Sequence, residues 1–151
     1  MHKDVCYFFG VNSYGKDFEL QIKKEINRAI KDGYRFFVTG LLNKIDIIGS
    51  KIILEKKKEN DNIRLICYPR YVNFQNSITN DDIREEIDDI LHHADEVIYF
   101  YSRRYDFYEK IGTLLIGSSS RVIGNFENVT GNIKNVLEIG IKKGVSLFEV
   151  K

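Results

Sequence analysis

The sequence is short of four things, and each shortage excludes a class of protein. It has one proline, Pro69, among 151 residues, and no Pro-rich or Ser-rich stretch that would read as a linker. It lacks an excess of charge: 23 Lys and Arg stand against 22 Asp and Glu, a net +1. No global field therefore draws the chain to nucleic acid or to an anionic membrane. Nucleic acid is accordingly not an expected partner, although a local basic patch stays open. No apolar run approaches the ~18–20 residues needed to cross a bilayer, and Met1-His2-Lys3-Asp4 passes straight into a strand-like run, which leaves no room for a signal peptide. Cysteine is limited to Cys6 and Cys67, both inside apolar runs, where buried free thiols of a reducing compartment are expected. A cytoplasmic location with no membrane partner is the resulting expectation.

What is present reads as alternating strands and helices. Val5–Phe9 is a continuous apolar run, as in a strand covered on both faces. Phe18, Ile22, Ile26, Ala29 and Ile30 recur at helical spacing until Gly33 stops them. Tyr34–Val38 predicts a second strand and Asp46–Lys58 a second helix. Ile63–Tyr68 predicts a third strand, ended by Pro69, which cannot donate to a ladder. After a polar and aromatic loop, Thr79 or Asn80 caps a third helix with an Ile83, Ile87, Ile90, Leu91, Ala94 stripe. Further strands are expected at Val97–Tyr101, Val122–Phe126 and Val145–Val150, with helices near 108–116 and 133–141. The alternation implies right-handed crossovers. The fold class expected is α/β, a three-layer Rossmann-like sandwich with a mostly parallel sheet of about six strands, one domain spanning 1–151. In such sheets ligands sit beyond the carboxyl ends of the strands, where the strand order reverses.

The central stretch is Tyr34–Asp46: strand, Thr39-Gly40 turn, then a helix opening at Ile45-Asp46. That layout aims free backbone N–H groups and the positive end of a helix dipole at a bound anion. Gly10–Lys16 meets the G-x-x-x-x-G-K spacing of a P-loop, but Asp17 stands where the Mg²⁺-binding hydroxyl is needed. The spacing is therefore read as coincidence, with Gly10, Asn12 and Ser13 still candidates to line a site. Tyr99–Tyr108 sets aromatics around Arg103 and Arg104, able to stack a base and meet a phosphate, or to be core rings beside solvated cations. Thr130-Gly131 leads into the last predicted helix and either bonds a phosphate or only caps. Glu138, further along it, is either a paired or exposed residue or a catalytic carboxylate. The adjacent His92 and His93 point in different directions and complement a helix end; no metal site is expected.

With these pieces in place the chain resembles the SLOG superfamily, a Rossmann-like group that includes the DNA-processing protein A family and the LOG cytokinin-activating enzymes. Its small YpsA-like branch is the most similar. Phe9-Gly10-Val11-Asn12 stands at the T-G-H-R-like turn of that branch. Thr39-Gly40-Leu41-Leu42-Asn43-Lys44-Ile45-Asp46 stands at its T-G-G-A-x-G-x-D-like loop. Ala94–Val97 on to Ser102 and Tyr105 matches a later block, Ile111-Gly112 replaces an R-N pair, and Val129-Thr130-Gly131 represents a late G-G-T turn. Leu41 and Lys44 replace glycines and are expected to obstruct the approach of a phosphate.

The resemblance implies a nucleotide or nucleotide-derived small molecule as ligand, with degenerate or absent catalysis and no cofactor. Ligand contacts are expected from Gly10, Asn12, Ser13, Thr39, Gly40, Ser102, Arg103, Tyr105, Thr130 and Gly131. The alternative is an enzyme acting on an N-glycosidic bond, like a LOG phosphoribohydrolase or a nucleoside deoxyribosyltransferase, with Glu138 and Asp46 as its catalytic carboxylates. A homodimer is left open.

Overall fold

The structure, a computed structural model, describes residues 4–10, 15–99, 107–127 and 129–151, with the backbone alone for 107–109 and 132. Six strands form one sheet: β1 (Val5–Gly10), β2 (Phe36–Thr39), β3 (Arg64–Cys67), β4 (Glu96–Val97), β5 (Arg121–Asn125) and β6 (Ser146–Glu149). Five helices connect them: α1 (Phe18–Lys31), α2 (Lys44–Lys57), α3 (Asp81–His93), α4 (Phe107–Gly117) and α5 (Gly131–Lys142). Every pairing is parallel, and the order across the sheet is β4-β3-β2-β1-β5-β6. The expected α/β three-layer architecture is the one observed.

Alternation along the buried strands sorts the core into two halves. Cys6, Phe8, Phe37, Leu65 and Cys67 face α1, α2 and α3, meeting Ile22, Ile26, Ile53, Ile87 and Ile90. Tyr7, Phe9, Val38 and Val122 face α4 and α5, meeting Ile111, Leu115, Val136 and Leu137. Both cysteines are free and buried, and burial pushes the Cys67 thiol up to about 12, so each behaves as a small apolar side chain. Local signals act where the sequence placed them. Asn80 caps α3 by accepting from Ile83 N at 3.1 Å, and the His93 ring nitrogen Nδ1 lies 2.9 Å from the Asp89 carbonyl at the helix end.

Two elements differ from expectation. Among the described residues strand β4 spans only Glu96–Val97, at the edge of the sheet beside β3, and Ile98, just beyond it, is exposed; Phe100 and Tyr101, expected in the same strand, lie outside the described residues. Strand β5, the least apolar in sequence, is buried along its whole length between β1 and β6. Arg121 is tolerated there because its guanidinium lies between the Tyr34 and Phe148 rings, 4.4 and 4.3 Å from their centroids, and pairs with Asp32 at 2.8 Å.

Candidate functional site

The chain runs outward from β1 to β4, then returns to the other side of β1 to build β5 and β6. The strand order therefore reverses between β1 and β5, and the crevice of a doubly wound sheet opens at their carboxyl ends. The two strands come unusually close there. A Cβ on Gly10 would lie 2.3 Å from the Asn125 carbonyl oxygen, and one on Gly124 would lie 1.7 Å from that of Phe9. Gly10 also has φ +149°, a conformation that side chains disfavour. Below this opening Asn125 is buried and ties two strand ends together. Its Nδ2 donates to the Val150 carbonyl at 3.0 Å, and its Oδ1 accepts from Glu127 N at 3.3 Å.

Beside Gly10 lies the turn from β2 to α2, where the sequence led us to expect amides open to an anion. The chain itself fills three of them. Thr39 Oγ1 accepts from Leu41 N at 3.1 Å, and Asp46 Oδ2 accepts from Leu42 N at 2.7 Å and Asn43 N at 2.9 Å. Asn43 then reaches across with its Nδ2 to the Gly10 carbonyl at 2.7 Å. Thr39 is fully buried and Asp46 only 2% exposed. Burial pushes the Asp46 carboxyl up to about 6, while the Asn43 and Leu42 amides and the Thr39 hydroxyl pull it back down. Its other oxygen, Oδ1, is buried with no hydrogen-bond partner among the described residues.

Two positions singled out in the sequence prove to be packing positions. Leu41 adopts φ +54°, a left-handed backbone conformation, and its side chain is buried in the core shared by α1, α2 and α3. Ile111-Gly112, at the place of the R-N pair, is a packing position. Ile111 is fully buried, and a Cβ on Gly112 would be 3.2 Å from Val136 of α5.

The other anticipated residues fall as follows. Thr130 is the residue before α5; it is exposed, and its side chain makes no capping hydrogen bond. Gly131 follows with φ +59°, and among the described residues nothing lies within 4 Å of a Cβ placed on it. Because β2, β1 and β5 are neighbours, Thr39, Gly40, Gly10 and the segment leading to Thr130 all sit at one edge of the sheet. Asn12, Ser13, Ser102, Arg103 and Tyr105 lie outside the described residues. Glu138 is exposed on α5, and α5 packs on the face of the sheet opposite the helix that carries Asp46. The two candidate catalytic carboxylates thus do not share a helical layer.

Sequence reasoning missed two rings at this edge. Tyr68 and Phe126 each follow the last residue of a strand, and both are partly buried against the core shared with α4 and α5. Tyr68 is fixed by its backbone N–H, which donates to the Thr39 carbonyl at 2.8 Å, and its hydroxyl pKa is raised by burial and then by Glu96. In the sequence both rings are the last residues of predicted strands; the signal is their position at the end of an apolar run. A groove of about 820 Å³ also lies over α2, between α1 and α3, walled by Leu41, Ile48, Ile52, Ile83 and Ile87. The periodicity of α2 gave no hint of it.

No family model matches the sequence, and no curated protein matches it. Among solved structures the chain is similar to DNA processing protein A from Helicobacter pylori, with TM-score 0.70 and 16% identity. The match covers 96% of this chain and 64% of that one, so the chain spans less than two thirds of that protein's length. At this identity the likeness shows the Rossmann-like fold. That structure is described for a single-stranded DNA binding mode, which overturns the expectation that nucleic acid is not a partner. The physical error lay in arguing from net charge. A sum of +1 says nothing of how charge is distributed, and phosphate binding responds to the local field. Lys16, Lys44, Arg70 and Lys134 all sit on segments leaving the carboxyl ends of strands, beside Asp17 and Glu127.

Proposed function

We propose that the chain binds a nucleotide or nucleotide-derived small molecule in the crevice between the ends of β1 and β5, as a SLOG-like binding domain without turnover. The observation that carries this reading is the opening of α5 beside the reversal of strand order. Thr130 is exposed with its hydroxyl unused for capping, no atom of the described residues lies within 4 Å of a Cβ placed on Gly131, and the helix dipole favours an anion at that end. Tyr68 and Phe126 supply rings at the same edge against which a base can stack. Titration with adenosine monophosphate, followed by amide NMR, tests the reading. Saturable shifts are expected at Thr130, Gly131 and Gly10. Thr130→Ala should weaken binding about tenfold, the worth of a hydrogen bond to a charged group, with little change in stability. Shifts confined to other surfaces would overturn the proposal.

A second reading, single-stranded nucleic acid at the same edge, is favoured by the likeness to DNA processing protein A. An oligothymidylate would then shift the same amides and compete with the mononucleotide, and its affinity would fall as salt rises.

A further inference from the structure

The β2–α2 turn has the layout of a phosphate cradle, yet three of its amide donors, those of Leu41, Leu42 and Asn43, are bonded to acceptors from its own chain. Two of the three go to one carboxylate oxygen, and that carboxylate is itself almost wholly removed from solvent. A buried carboxylate aligned on two N–H groups at a helix N-terminus occupies the place and supplies the charge that a bound phosphate oxygen would. A second anion brought there would have to displace it and would meet its repulsion in a medium that screens poorly. The other oxygen, Oδ1, is buried as well and has no hydrogen-bond partner among the described residues, so the filled turn adds a further acceptor, which a phosphate would not favour.

We propose that Asp46 is a positioning residue that fills the anion cradle of the β2–α2 turn from within, so that a ligand's phosphate is refused there and directed to the opening of α5. The inference rests on the nucleotide reading for its second half only; the refusal of anions at the turn stands without it. Asn43 extends the effect, because the same turn holds the Gly10 carbonyl at the mouth of β1. Any loosening of Asp46 would therefore be felt at the crevice. The groups that sense the Asp46 charge from packed strands are Tyr7 on β1 and Cys67 on β3, both held neutral by burial through the physiological range. Neither α1 nor α3 contributes a described group that shifts it. Protonation of Asp46 itself is then the event that removes the charge from the cradle and weakens its hold on the two amides, and burial places it near 6.

The test uses sulfate, which keeps its charge from pH 5 to 8, and reads the backbone amides of Leu42 and Asn43 by NMR. Near pH 7.5 the wild-type chain should show no saturable sulfate shift at these amides. Asp46→Asn, which keeps the shape and removes the charge, should bind sulfate there at least about tenfold more tightly. Wild type near pH 5 should approach the variant, and the variant's own affinity should be flat with pH. Wild type binding sulfate at this turn as tightly as Asp46→Asn near pH 7.5 would overturn the proposal. So would a folded variant that shows no shift, or a variant whose affinity rises toward pH 5 as much as the wild type's, since that gain would belong to overall charge. If Asp46→Asn does not fold, the wild-type pH series decides alone: no gain at pH 5 overturns the idea. Failure of adenosine monophosphate to shift Thr130 and Gly131 would count against the nucleotide reading and leave the sulfate result standing.

Discussion

Two residues of one turn carry opposed costs that can be measured separately. Asp46 has a folded-state pKa raised from an ordinary 3.8 to about 6, chiefly by burial, so its ionised form destabilises the fold. The sign follows directly. The favourable contribution of the protonated group is complete below pH 4 and is lost as pH rises through 6, a swing of roughly 3 kcal/mol. Asp46→Asn removes that titration. Urea denaturation should show the variant gaining on wild type between about pH 4.5 and 7.5, by roughly 2–3 kcal/mol; a constant difference across that window would mean that the carboxyl is not buried as described. Leu41 poses the contrary question, since it spends its left-handed φ of +54° on a side chain only 4% exposed. Leu41→Gly would relieve about 1–2 kcal/mol of backbone strain but forfeit about 2–5 kcal/mol of burial and cavity energy. Burial wins, and a net loss near 2 kcal/mol is expected by the same measurement, with extra unfolded-state entropy from glycine on the losing side.

At the scale of elements, the layer that frames the candidate site depends on how closely α4 and α5 approach. Gly140 of α5 faces Ile116 of α4, where a Cβ would sit 2.6 Å from Ile116 Cδ1, and Gly112 of α4 faces Val136 of α5. Each helix offers a small residue to a branched one on its partner, so the backbones can nearly touch. Gly140→Ala tests this, because helix propensity alone would stabilise by about 1 kcal/mol while overpacking costs about 1–3 kcal/mol. Net destabilisation is expected. Ile116→Val, which deletes the offending Cδ1, should recover part of it, with a coupling of at least about 0.5 kcal/mol in a double-mutant cycle. Additive effects would mean that the two helices are further apart than described.

For the whole molecule the question is whether a ligand at the proposed crevice would also react. N-glycosidic chemistry needs a carboxylate close to the sugar and a group that holds or protonates the leaving base. Glu138 is exposed on α5, and Asp46, in the opposite helical layer, is bonded to its own turn. We therefore expect no base release from nucleosides, their monophosphates or ADP-ribose above background, as read by chromatography. Turnover abolished by Glu138→Gln would favour the enzyme reading over the binding one.

Local physics was legible without a structure. The 3.6 and 2.0 periods of the apolar residues, Gly33 after α1 and Asn80 before α3 predicted which stretches become helices and which become strands, because each signal acts within a few residues. Even the capping of α2 was written in the chain, as Asn43 with Asp46 three residues on, although that aspartate was read as a catalytic candidate. Three things needed the tertiary structure. The order β4-β3-β2-β1-β5-β6 places β5 against β1 across more than a hundred residues of chain, and no local pattern encodes which strand returns to which side. The fate of the turn amides depended on the depth to which Asp46 is buried, a property of the packing of α2 on β1 and β3. The value of Ile111-Gly112 depended on what lies opposite: only the docking of α5 makes that pair a packing contact. Sequence sets the elements because hydrogen bonding and rotamer preference are local. Burial and strand order are set by which surfaces meet, and that is a property of the folded whole.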